Sequence, residues 1–117
     1  MLTSYGYDDG ALVVAEGVWV PAAKFEFSMA YRISFRDATV VFDSSRGDVV
    51  TIYPADGDKS EEQLATGTGY DHELAYFVKC IADGVAPAHI TLAEGVNAVR
   101  IAEAEKQSIA TGQTVEL

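Results

Sequence analysis

Phe25, Phe27, Met29, Tyr31, Ile33 and Phe35 alternate without a break against Glu26, Ser28, Ala30, Arg32 and Ser34. Side chains repeat every two residues along a strand and every 3.6 along a helix, so this run predicts a long strand over Phe25–Phe35 with one apolar face. A strand of that length leaves a row of backbone N–H and C=O groups to be paired, so the chain must build a sheet around it. The neighbouring segments supply partners. Asp9-Gly10 is suited to a tight hairpin turn, because Gly tolerates positive φ without a Cβ clash. It leads into a predicted strand from Ala11 to Val20, with Leu12, Val14, Val18 and Val20 at period two and Pro21 closing the run. Thr39–Asp43 and Val49–Tyr53 read as two shorter strands, separated by Ser44-Ser45-Arg46-Gly47, which has turn composition. Short links between successive strands favour an antiparallel meander. Asp56 to Glu62 reads as an exposed acidic loop.

The period then changes. Tyr70, Leu74, Phe77, Val78 and Ile81 share one helical face, Thr68 and Asp71 make a plausible start, and Gly84 a stop. Val85 to His89 is a connector. Thr91 and Glu94 form a capping-box pattern ahead of a second helix from Leu92 to about Ala110. Its small residues (Ala93, Ala98, Ala102, Ala104, Ala110) permit close packing, Gly112 ends it, and Gln113–Leu117 alternates as a last strand. The expected fold is α+β: an open, mostly antiparallel sheet with two helices packed on one face. The other strand positions are not uniformly polar, since Val13, Ala15, Trp19, Ala30, Val40 and Phe42 compete with Glu16, Glu26 and Arg32. A sheet apolar on both faces hides the second against a ligand, a domain or a subunit.

Composition limits the function classes. The chain has 117 residues, 49% of them hydrophobic, which is the scale of one domain over residues 1–117. Eighteen acidic against eight basic residues give a net charge of −10, distributed equally between the two halves. No basic cluster is available for nucleic acid or an anionic membrane surface. No apolar run approaches the roughly 20 residues of a membrane span, and the N-terminus lacks the basic and apolar regions of a signal peptide. One cysteine excludes an internal disulfide and suits a reducing compartment. A soluble, cytoplasmic protein is expected.

Catalytic equipment is sparse. Gly67-Thr68-Gly69 precedes a helix but lacks the third glycine and the preceding strand of a dinucleotide loop, and reads as a flexible helix start. In Asp71-His72-Glu73, neighbours on a helix diverge by about 100°, so the three cannot converge on one metal ion. They read as a solvated first turn whose carboxylates suit the helix dipole. His89 reads as a loop or packing histidine and Cys80 as a small core residue. Trp19 with Phe25, Phe27 and Tyr31 could stack on sugar C–H faces, but strict alternation favours core for the Phe25 set. Trp19, on the opposite parity from Val18 and Val20, is left open.

The second half carries a further pattern. Gly69-Tyr70-Asp71-His72-Glu73-Leu74-Ala75-Tyr76-Phe77 continues through Cys80-Ile81-Ala82-Asp83-Gly84 to Pro87. Thr91-Leu92-Ala93-Glu94-Gly95-Val96, Ile101 to Ser108 and Gly112-Gln113-Thr114-Val115-Glu116-Leu117 follow. In order and spacing this resembles the C-terminal domain of the Gfo/Idh/MocA oxidoreductases, over about residues 10–117. The resemblance implies a substrate-side and oligomerisation domain of an NAD(P)-dependent enzyme acting on sugars, polyols or related hydroxy compounds. It implies homo-oligomers through the sheet face, and a partner Rossmann domain, N-terminal in the full-length protein, that carries NAD or NADP and the catalytic lysine. Neither the glycine fingerprint nor the Glu-Lys-Pro motif of that domain occurs in this chain, so no catalytic or cofactor-binding residue is expected here and the chain alone should not transfer hydride. Tyr70 matches an aromatic position near the substrate pocket of relatives; Tyr70 and Trp19 are the candidate substrate-lining residues. Two other readings stand beside this one: a free-standing homodimerising module without chemistry, and a small-molecule binder with a cavity lined by Tyr70, Trp19 and helix residues.

Overall fold

The computed structural model describes residues 1–117. They form β1 (Leu2–Gly6), β2 (Leu12–Glu16), β3 (Ala30–Ser34), β4 (Ala38–Asp43), β5 (Val49–Pro54), β6 (Ser60–Gln63), α1 (Gly69–Asp83) and α2 (Leu92–Thr111). Every strand pairing is antiparallel, so the fold is α+β. The expected single sheet is instead two, β1-β2 and β3-β4-β5-β6. The chain divides accordingly into two units, Met1–Trp19 with Glu73–Leu117, and Val20–His72. No helix is long and apolar enough to cross a membrane.

Strand lengths are set by where partners run out. The expected Ala11–Val20 strand is a ladder only over Leu12–Glu16, followed by one further bond from the Gly17 amide to the Met1 carbonyl at 2.9 Å. The expected Phe25–Phe35 strand is a ladder only over Ala30–Ser34. Its partner β4 ends at Asp43, where the Asp43 carboxylate accepts from the Ser45 amide at 3.0 Å and starts a 3₁₀ turn over Ser44–Arg46. The last rung is Ser44 N–H to the Met29 carbonyl, with the Met29 N–H on Ser44 Oγ, both at 2.9 Å. Gln113–Leu117 joins no ladder, so the expected final strand is absent. Part of the expected acidic loop is instead β6, paired to β5 from Val49↔Gln63 to Ile52↔Ser60. Its Ser-Glu-Glu-Gln sequence carries no apolar alternation, and charged side chains suit a sheet edge.

Register moves two of the residues expected on the second face of the sheet. Tyr31 pairs with Phe42, Ile33 with Val40, Val40 with Ile52 and Phe42 with Val50. Directly opposed residues share a face, so Val40 and Phe42 join Tyr31 and Ile33 on one apolar side. The other side is mixed: Val41 lies between Arg32 and Thr51, and Val49 and Tyr53 share it with Thr39 and Glu61. The apolar side centres on Phe42, only 4% exposed, whose ring lies 5.3 Å from that of Tyr31.

Both helices begin and end as their residues dictate. At the start of α1, Asp71 Oδ2 accepts from the Thr68 amide and hydroxyl, both at 2.7 Å, and Thr68 Oγ1 accepts from the Asp71 amide at 3.3 Å. At its end Gly84 takes φ +65°, its N–H bonded to the Ile81 carbonyl while the Val85 N–H reaches that of Cys80. This is the paired 5→2 and 6→1 closure that a left-handed glycine allows. The Thr91–Glu94 capping box is complete: Thr91 Oγ1 accepts from the Glu94 amide and Glu94 Oε2 accepts from the Thr91 amide.

These caps carry a pH dependence. Hydrogen bonds from Thr68 hold the Asp71 carboxyl below its usual value, those from Thr91 do the same for Glu94, and those from Ser45 for Asp43. A depressed folded-state value means stability that is complete above the ordinary carboxylate range, about 4, and is lost as pH falls through the lowered values. Removing a threonine N-cap costs about 1 kcal/mol. Thr91→Ala is therefore expected to lower the thermal midpoint at neutral pH, with the difference from the parent shrinking as pH drops below about 4. Circular dichroism melts across pH check this; a difference independent of pH contradicts it.

Candidate functional site

Trp19 and Tyr70 are the residues the sequence singles out. Trp19 is 98% exposed at the end of the first unit's N-terminal segment. Tyr70 is 77% exposed in the first turn of α1, among residues of the second unit. Neither lines either of two open grooves, both formed within the first unit. The expected cavity built on these two aromatics is not among those grooves.

The smaller groove, about 120 Å³, lies between β1, α2 and the C-terminal segment, lined by Thr3, Tyr5, Ile101, Glu105, Ser108 and Val115 among others. Here the Tyr5 phenol donates to Glu105 Oε1 across 100 residues of sequence, and that bond is the chief cause raising Tyr5 above the ordinary phenol value. Thr3 and Tyr5 alternate in burial with Leu2, Ser4 and Gly6, as one face of a strand does. Glu105 stands on α2, where Ala102, Ala104 and Ala110 keep the surface low. The Ser108 hydroxyl donates to the Gln113 carbonyl at 2.7 Å and ties down the chain after the helix. The groove therefore offers a carboxylate oriented by a phenol. Its lining holds no thiol or imidazole to form a nucleophile–base pair. The larger groove, open to solvent and about 500 Å³, is bordered by Arg100, Glu103, Lys106 and Gln107. Lys106 is already paired with Glu103 at 2.9 Å.

The titratable side chains noted in the sequence fall into structural positions. Asp71 is occupied by Thr68. The His89 ring packs 5.2 Å from that of Tyr76, whose hydroxyl oxygen accepts from the Ala88 and His89 amides. Cys80 is 5% exposed, a small core residue of α1. No three of the histidine, cysteine and acidic side chains converge as metal ligands do. The Tyr5–Glu105 pair escaped sequence reasoning, because its partners lie 100 residues apart and no local pattern links β1 to α2.

A dinucleotide does not fit the one glycine-flanked helix start. Gly67-Thr68-Gly69 precedes α1, but the strand before it is an antiparallel edge and not the first strand of a βαβ unit. The Asp71 carboxylate also occupies the Thr68 amide, where a phosphate would meet like charge. Compared with protein-family models, curated proteins and solved structures, the chain matches none.

Proposed function

We propose that this chain is an assembly and substrate-side domain of an NAD(P)-dependent oxidoreductase acting on a sugar, polyol or related hydroxy compound. The observation that carries the assembly half is burial: Phe42 and Cys80 are the only buried residues, while Trp19, Phe25, Phe27, Leu74, Phe77 and Ile81 are among many large apolar side chains left exposed. Soluble chains keep contiguous apolar surface for partners. The oxidoreductase half rests on the resemblance of residues 10–117 to the Gfo/Idh/MocA C-terminal domain. Support comes from the order helix α1, Gly84, Pro87 and capped helix α2, which is the order of those motifs; the Gly112–Leu117 segment of the pattern joins no ladder and adds none. NAD or NADP would be held by a separate Rossmann domain, since no residue set in this chain fits it. A single buried thiol suits a reducing, cytoplasmic setting.

The test is cofactor binding with and without the coding sequence that precedes Met1. Joined to a preceding glycine-fingerprint domain, the protein is expected to enhance NADH or NADPH fluorescence on binding, whereas this chain by itself leaves both unchanged. A preceding sequence without that fingerprint, or cofactor binding by this chain by itself, contradicts the oxidoreductase reading. In the first case the chain would be an assembly module without chemistry.

A further inference from the structure

The outer edge of β3 is unpaired, and its sequence contains its own complement. The rungs from Ser44 N–H to the Met29 carbonyl and from Phe35 N–H to the Ala38 carbonyl fix which residues bond to β4: the odd-numbered ones. The N–H and C=O groups of Ala30, Arg32 and Ser34 therefore point away from the sheet, as alternate residues of an antiparallel edge do. Ahead of them Phe25–Ser28 continues the same alternation outside any ladder, with Phe27 87% exposed. The opposite edge, β6, places Glu61 and Glu62 side by side, and such charge guards an edge against pairing with its like.

We propose that two copies of this chain pair edge to edge through Phe25–Phe35, antiparallel about a two-fold axis at Met29, with Glu26 opposite the partner's Arg32. Even residues must pair with even ones for the free backbone groups to meet, so only alternate registers are open. Axes at Arg32 and at Ser28 oppose Arg32 to the partner's Arg32 and the partner's Lys24 respectively, and like charges directly opposite destabilise a pair. An axis at Ala30 opposes Glu26 to the partner's Ser34 and forms no attractive charge pair, and one at Tyr31 opposes Glu26 to the partner's Arg36, beyond the end of β3. Centring on Met29 sets Glu26 against Arg32 twice and Ser28 against Ala30 twice. On the other face it sets Phe25 against Ile33, Phe27 against Tyr31 and Met29 against its own copy. Those odd residues share the face of Phe42, so the joined sheet of eight strands has one continuous apolar side. This pairing rests on the assembly reading above and specifies its partner and register.

Charge exchange tests it. By sedimentation, Glu26→Arg or Arg32→Glu alone is expected to weaken dimerisation about tenfold or more, because each turns two attractive pairs into repulsive ones. The double variant Glu26→Arg with Arg32→Glu restores it. Circular dichroism of these exposed positions should stay unchanged. Independently, Met29→Cys is expected to form an intermolecular disulfide on mild oxidation, since directly opposed non-hydrogen-bonded residues lie about 4.5 Å apart at Cα, within disulfide range. Phe27→Cys, displaced from its own copy by four residues, is expected not to. A dimer indifferent to the single exchanges, a double variant that does not recover, or equal cross-linking at both positions overturns the register and leaves the assembly reading standing. A chain monomeric at all concentrations overturns both.

Discussion

Phe42→Ala is expected to unfold the four-stranded sheet. Phe42 sits on the central strand β4 between Tyr31 of β3 and Val50 of β5, and is the one residue of β3–β6 that is buried. Truncating a buried phenylalanine costs about 3–5 kcal/mol through lost transfer energy and the cavity left behind. Whole domains are stable by only about 5–15 kcal/mol, and a unit with a single buried side chain has little else to compensate. The expected result is loss of the near-UV dichroism of Tyr31 and of the cooperative melt. Phe42→Leu, which retains most of the apolar volume, should preserve the melt at a lower midpoint. Equal melts for Phe42→Ala and the parent would mean that the sheet is held from elsewhere.

Trp19→Asp is expected to weaken self-association by about thirtyfold, the cost of removing a tryptophan anchor worth about 2 kcal/mol at an interface. Trp19 is the only tryptophan and is almost wholly exposed within one chain. Its fluorescence therefore reports directly whether assembly covers Trp19. Emission of the parent is expected to move from a water-exposed to an apolar position as concentration rises, with helix content unchanged. Emission that stays water-like while the mass doubles would place Trp19 outside the interface and remove this residue from the account.

Local chemistry was legible in the sequence where a single segment decides its own conformation. The Thr91–Glu94 box, the Gly84 and Gly112 stops and the Asp9-Gly10 turn depend on residues within five positions of one another, the helix over Tyr70–Ile81 on a spacing repeated along one segment, and each is found in place. Strand lengths were not legible. Alternation at Phe25–Phe35 states what a segment could do, but the ladder extends only as far as β4 accompanies it, and Asp43 ends β4 by capping a turn. The same holds for Val18–Val20, which no strand accompanies, and for β6, whose pairing is a backbone matter that its side chains do not announce. Which face Val40 and Phe42 occupy is likewise a property of register between strands. Of the candidate site, the aromatics Trp19 and Tyr70 could be named in advance. The Tyr5–Glu105 bond could not, because its partners are brought together by the fold alone.

Exposed apolar rows beside so small a buried core are the physical basis for reading this chain as a domain completed by other polypeptide. The most direct test is the molar mass of the chain in solution by light scattering, as a concentration series. The account predicts a mass rising from one chain to two or more with increasing concentration, and a thermal midpoint that rises with it, because association stabilises the folded state by mass action. A single-chain mass at every concentration, with a sharp melt whose midpoint does not move, would contradict it.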